Sequence, residues 1–197
     1  HWPNGNLMPT CIRAALLLIV LLATPSFAVE QEITVSVREL GEGFVVEANF
    51  QAPVRLQTAW EVLIDYDHMA SIMSNLESSK IASRNGNTLI VRQSGVAHFG
   101  IFNYPFQVER EIRLEPMKRI LTKNLSGSLK RMESEVVLVP SSQELAVHVV
   151  YHGEFVFGST LAGLFALSFL RHEVEEQFQT LVAEMRRRET KALAGTR

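Results

Sequence analysis

From Ile33 onward, apolar and polar residues alternate: Ile33, Val35 and Val37 share one side, and after the turn Gly41-Glu42-Gly43 so do Phe44, Val46, Ala48 and Phe50. Successive side chains of a strand point to opposite faces, so this period predicts two strands, or one strand preceded by a short partner, with Pro53 closing the second. From Val54 the period lengthens. Leu56, Trp60, Leu63 and Ile64 form one helical stripe, which Asp65-Tyr66-Asp67 interrupts. A second short helix is expected at about 68–73, with Asp67 as its N-cap.

Alternation then returns in segments near 76–84, 88–99, 101–114, 118–126, 129–139 and 144–157. Turn signals separate them at Asn85-Gly86-Asn87, Glu115-Pro116, Ser126-Gly127-Ser128 and Pro140-Ser141-Ser142. Connections this short predict antiparallel neighbours. Phe106, Val108, Ile112 and Leu114 oppose Gln107, Glu109, Glu111 and Arg113, and Leu145, Val147, Val149, Tyr151, Phe155 and Phe157 oppose His148, His152 and Glu154. One face of the sheet therefore meets solvent and the other a core or cavity.

The pattern changes once more over 160–188. Leu167, Leu170, Val174, Phe178, Leu181 and Met185 recur at three- and four-residue steps, the signature of one amphipathic helix about 40 Å long. Residues 161–170 are apolar nearly all round, whereas Arg186-Arg187-Arg188-Glu189 is charged. The element order predicts an α+β fold: a curved antiparallel sheet wrapped around a long C-terminal helix, with two short helices after the opening strand.

Composition sharpens this at the N-terminus. Arg13 precedes an apolar run over 14–23, and Thr24-Pro25-Ser26-Phe27-Ala28 places small residues where a signal peptidase reads. Residues 1–28 are expected to be a signal peptide cut after Ala28, with His1 to Leu7 as an extension upstream of Met8. The run is short for a transmembrane span, so an uncleaved anchor is the lesser alternative. Residues 29–197 then form a single domain, exported, with the bacterial periplasm as its expected compartment. The segment 1–28 holds one arginine and no acid, so its removal takes the formal charge from −2 to −3. A balance this close to neutral argues against nucleic acid as a partner. Cys11, the one cysteine, lies inside the signal, so the mature chain has no thiol chemistry.

Within this frame, Ala52-Pro53-Val54, Ala59-Trp60-Glu61-Val62-Leu63, Asp65-Tyr66-Asp67 and Ile72-Met73 resemble the opening signature of the START-like, polyketide cyclase and coenzyme Q-binding superfamily. The resemblance covers about 33–188. It implies the helix-grip fold, in which the sheet grips the last helix around an elongated ligand cavity. Many relatives carry Pro after the Met of the second helix, where this chain has Ser74.

Candidate chemistry is sparse. Arg110 shares a strand face with Phe106, Val108, Ile112 and Leu114, and a cation there needs a partner or a polar ligand group, unless a bulge turns it outward or an internal acid pairs with it. Tyr151, also inward, combines ring packing with one hydrogen bond. Phe106 and Phe155 are expected to line the cavity, and Leu164 and Phe165 its entrance. His148 and His152 sit about 13 Å apart on the solvent side, too far to share an ion. His172 and Glu176 are one helical turn apart but lack the second histidine of a zinc-protease motif. No metal or cofactor is expected. Asn124-Leu125-Ser126 is a formal glycosylation triplet.

These features point to an exported protein that binds or carries a hydrophobic small molecule, such as a lipid, an isoprenoid quinone or a polyketide-like compound, in an internal cavity. Transient membrane contact through 161–170 would accompany loading. The alternative is a cyclase, aromatase or dehydratase using the same cavity, with Arg110, Tyr151 or a neighbouring acid moving protons.

Overall fold

A computed structural model describes residues 33–99, 102–142, 145–157 and 166–195. Among them are eight strands: β1 (Thr34–Leu40), β2 (Gly43–Ala52), β3 (Leu76–Asn85), β4 (Thr88–Phe99), β5 (Phe102–Glu115), β6 (Arg119–Gly127), β7 (Leu129–Pro140) and β8 (Val147–Phe157). Three α-helices accompany them: α1 (Leu56–Leu63), α2 (Met69–Ile72) and α3 (Ala166–Gly195). All eight strands join one antiparallel sheet in the order β1-β2-β8-β7-β6-β5-β4-β3.

The local sequence accounts for these boundaries. Gly41 and Gly86 take left-handed φ of 59° and 57° in the β1–β2 and β3–β4 hairpin turns, a region that a side chain disfavours. Pro53 follows the last residue of β2 and leads the chain off the sheet. The other turn signals fall where one strand ends and the next begins, so the register follows the alternation of the sequence. Leu145 departs from the expected inward set. β8 starts at Val147, and Leu145 lies in the preceding turn with 46% of its surface exposed. Alternation carried backward past the turn had no ladder to hold it.

The inward face of the sheet packs on α3. Phe178, Leu181, Val182 and Met185 of the helix are buried against Phe50, Val149, Ile112 and Leu138 of the sheet. Phe178 sits between Phe50 and Tyr151, at ring-centroid distances of 4.9 and 5.3 Å. Trp60 and Leu63 belong to the same core, which assigns them to packing.

The second short helix has two parts, a 3-10 turn over Tyr66–His68 and α2. Asp67 does not cap it: its Oδ1 accepts a hydrogen bond from the backbone N–H of Ile81 at 2.8 Å, tying the turn to β3. The long helix also runs beyond the expected Arg188 as far as Gly195. The apolar stripe ends near Met185, but Glu189 is only 4% exposed and bonds Arg55 and Thr58 at the start of α1. A polar anchor holds this last stretch, so hydrophobic periodicity could not register it. The expected helix start at 160 lies in residues 158–165, outside the described residues.

Candidate functional site

Arg110 lies in β5 between Val108 and Ile112 on the inward face, opposite Val91 of β4 and Asn124 of β6. The β5–β6 register shifts between Glu109 and Arg110, yet Arg110 stays inward because its pairing with β4 is unbroken. Its Nη1 donates to Gln93 Oε1 at 2.9 Å, and Gln93 Nε2 donates to Ser79 Oγ at 3.0 Å. A polar chain thus crosses three strands, β3, β4 and β5, on the inward face.

No carboxylate joins this chain. Burial draws the Arg110 pKa below that of a free arginine, and the ionisable groups opposing that pull are the phenols of Tyr151 and Tyr66. A guanidinium stays charged under any such shift. Among the described residues Arg110 is therefore an enclosed cation facing neutral partners. Its Nε has no hydrogen-bond partner, and neither has Oδ1 of Asn124, the residue opposite it. A buried charge left short of partners is costly, and native interiors seldom keep one without a use.

The two phenols are held neutral. Burial pushes Tyr151 up to about 12, against the pull of its hydrogen bond with Ser134 and of the Arg110 charge. Burial likewise raises Tyr66, which comes from the 3-10 turn before α2. Gly153 makes the Tyr151 position possible: a Cβ there would stand 2.5 Å from the phenol oxygen. Ser134 pairs with Gly153 across β7 and β8, which sets its hydroxyl beside that phenol.

The inward face is not evenly filled. Around Phe50, Val149, Leu138 and Ile112, side chains are at most 3% exposed. Toward the ends of β6 and β8 and the start of β5, Phe106, Arg110, Asn124, Ser134, Phe155 and Phe157 keep partial exposure. Arg110 and Tyr151 sit where the filled part meets the open part. Phe106 and Phe155 are both half-buried on the inward face, Phe155 against the main core. Leu164 and Phe165 lie outside the described residues.

Other polar features lie elsewhere. A cleft of about 60 Å³ between the start of β3 and α3 holds Glu173, whose carboxylate accepts from Asn75 Nδ2 at 3.3 Å and is raised in pKa by burial. A shallow groove of about 410 Å³ on the outward face carries Glu111, Lys123, Glu133, Glu135, His152 and Glu154. His148 lies on that outward face with His152, and His172 is paired with Glu176 at 3.7 Å. Among the described residues, no group of three potential ligands is placed to hold a metal. No helix among them is long and apolar enough to cross a membrane.

Gln93, Ser79, Asn124, Ser134 and Tyr66 were not expected at the site. The first four were legible as polar residues in register with an inward set: Gln93 continues the row of Leu89 and Val91, and Ser134 that of Val136 and Leu138. Asn124 was noted only as a glycosylation triplet. Its amide is half-buried and donates to the Leu129 carbonyl at 3.0 Å, which turns it away from such modification.

Solved structures share this architecture. An aromatase/cyclase from a Streptomyces species is 19% identical over 73% of this chain and 94% of its own, with a TM-score of 0.61. A STAR-related lipid transfer protein from Xanthomonas axonopodis is 13% identical over 78% of this chain and 93% of its own, with a TM-score of 0.64. A START superfamily protein from Mycobacterium smegmatis is 10% identical over 75% of this chain and 98% of its own, with a TM-score of 0.59. At these identities the likeness establishes the helix-grip fold. No match was found among curated proteins. The sequence matches the family described as polyketide cyclase / dehydrase and lipid transport over residues 52–182, well over half of its length, and the chain belongs to that family.

Proposed function

We propose that this chain is an exported binding protein that takes up a hydrophobic small molecule along the inward face of its sheet and seats the molecule's oxygen-bearing end at Arg110. The observation that carries this reading is the enclosed Arg110 cation, which has no carboxylate partner among the described residues and stands at the edge of a partly open apolar surface. Apolar walls such as Phe106 and Phe155 would desolvate the ligand's body, while the guanidinium orients its polar end. Lipids and polyketide-like compounds have this chemistry, and the similar structures, a lipid transfer protein and an aromatase/cyclase, fit that class.

Binding is favoured over catalysis by the state of the phenols. General acid–base work is most efficient with a group that ionises near the working pH, whereas burial holds the Tyr151 proton up to about 12. Tyr66 is raised too, which leaves both as hydrogen-bond donors toward a ligand. Phe169 and Leu170 are buried against Phe44, so it is the earlier part of the apolar stretch, with Leu164 and Phe165, that would touch the membrane during loading.

Native mass spectrometry of the protein purified from its own compartment, followed by incubation with a total lipid extract, tests the reading. We expect one or more bound acyl, isoprenoid or polyketide-like species. A protein that stays empty after exposure to lipids and quinones would overturn it. The same spectra report the processed N-terminus, expected at Val29. Liposome association left intact by Leu164→Ser and Phe165→Ser would remove the membrane step.

A further inference from the structure

Arg110 and Asn124 are paired across β5 and β6 on the inward face, and each carries one buried side-chain atom with no hydrogen-bond partner. The two atoms are complementary. Arg110 Nε is a donor, and Asn124 Oδ1 is an acceptor. Nη1 of Arg110 donates to Gln93 and Nδ2 of Asn124 donates to the Leu129 carbonyl, so neither side chain is idle filler. Both residues nevertheless keep some accessible surface. A small turn of each side chain about its outer torsions would present the unmet atom to a molecule lying there.

Resting on the reading of this face as a ligand site, we propose that Arg110 and Asn124 form one recognition pair for a hydrophobic acid bearing a hydroxyl close to its carboxylate. The cation takes the carboxylate, and the amide oxygen accepts from the hydroxyl. A carboxylate alone would satisfy the donor and leave Asn124 Oδ1 unmet. A ligand without acidic oxygen would satisfy neither the charge nor the donor. The pair therefore selects a hydroxy acid over either simpler molecule. Tyr66 and Tyr151, both neutral and both close enough for their phenols to act on Arg110, bring no competing negative charge to the carboxylate position.

The test uses the mature chain with palmitate, 3-hydroxypalmitate and methyl palmitate, each displacing a fluorescent acyl probe. On the wild-type protein we expect 3-hydroxypalmitate to bind about tenfold tighter than palmitate, the worth of one buried hydrogen bond, and methyl palmitate to bind weakest. In Asn124→Leu the preference for the hydroxyl should disappear while the affinity for palmitate persists, and that retained affinity reports a folded site. The wild-type series decides the matter even if the variant does not fold. Equal affinity for the hydroxylated and plain acids would overturn the pairing while leaving a hydrophobic binding protein in place, as it would if a resident water bridged the two atoms. Failure of all three compounds to displace the probe would instead count against the ligand site itself.

Discussion

At the scale of single residues, the interior is set by who stands beside whom. Tyr151 occupies its position because Gly153, two residues on and on the same side, has no side chain: a Cβ would meet the phenol oxygen at 2.5 Å and Phe155 Cε2 at 2.8 Å. Gly153→Ala should therefore displace Tyr151 and cost about 1–3 kcal/mol in a denaturant titration, the usual range for overpacking. A variant as stable as wild type would show that the ring has room to move. The raised phenols also predict alkaline behaviour. Their folded pKa values lie above the ordinary 10, so stability is complete below pH 10 and is lost as pH rises, for Tyr151 through about 12. Tyr151→Phe should flatten that alkaline limb in a melting series, whereas an unchanged limb would assign it to other groups. The inward place of Arg110 and Tyr151 could be read from alternation. Their partners could not, because a diagonal contact such as Arg110 to Gln93 depends on the exact register of β4 and β5 and on the rotamers of both side chains, which sequence spacing does not contain.

At the scale of elements, the two ends of α3 differ. Its C-terminal half is fastened by an ionic clasp. Glu189 is buried and bonds Arg55 through both side chain and backbone, together with the Thr58 hydroxyl, so that the first turn of α1 sits on the last turns of α3. Next to it, Arg188 bridges Asp65 at 2.7 Å and Glu184 at 2.6 Å. The Arg55 side chain is 46% exposed and water can serve it, so Glu189→Ala loses chiefly the hydrogen bonds to the Arg55 N–H and the buried Thr58 hydroxyl and should cost about 1–2 kcal/mol in equilibrium unfolding. A loss well under 1 kcal/mol would mean that water replaces the carboxylate. The clasp also sets an acid limb. Glu184, hydrogen-bonded by Arg187 and Arg188, is held down to about 2. Asp65 is lowered as well, since His68 and Arg188 outweigh its burial. Depressed folded values mean that this stabilisation is present above pH 4.5 and fades as pH falls toward 2. The melting temperature should drop across that window, and Glu184→Gln should make the drop shallower; a slope identical to wild type would contradict the assignment. The sequence marked the helix by its apolar stripe and so ended it at the arginines, whereas a polar clasp with a partner more than a hundred residues away leaves no periodic trace.

At the scale of the whole molecule, the fold is a division of labour along one sheet. Where α3 presents Phe178, Leu181 and Met185, the inward face is closed and supplies stability. Around Arg110 the inward face also carries polar side chains, Gln93, Asn124 and Ser134, beside the half-buried Phe106 and Phe155. Element order, strand boundaries and the grip of the sheet on the last helix were legible because each rests on local periodicity and turn chemistry. The fit of Arg110 among neutral neighbours was not, since the sequence left open whether an internal acid would pair with it. That neutral setting makes the central claim testable in one comparison. A lone buried cation without a ligand weakens the fold, so Arg110→Met should leave the unliganded protein at least as stable as wild type, yet reduce its affinity for a fluorescent fatty acid by about tenfold or more. The measurement is the dissociation constant of that probe for wild type and Arg110→Met, taken with their melting temperatures. A tenfold or greater weakening without loss of thermal stability is the predicted result. Unchanged affinity, or a variant that loses stability, would show that Arg110 is a structural residue and would contradict the account.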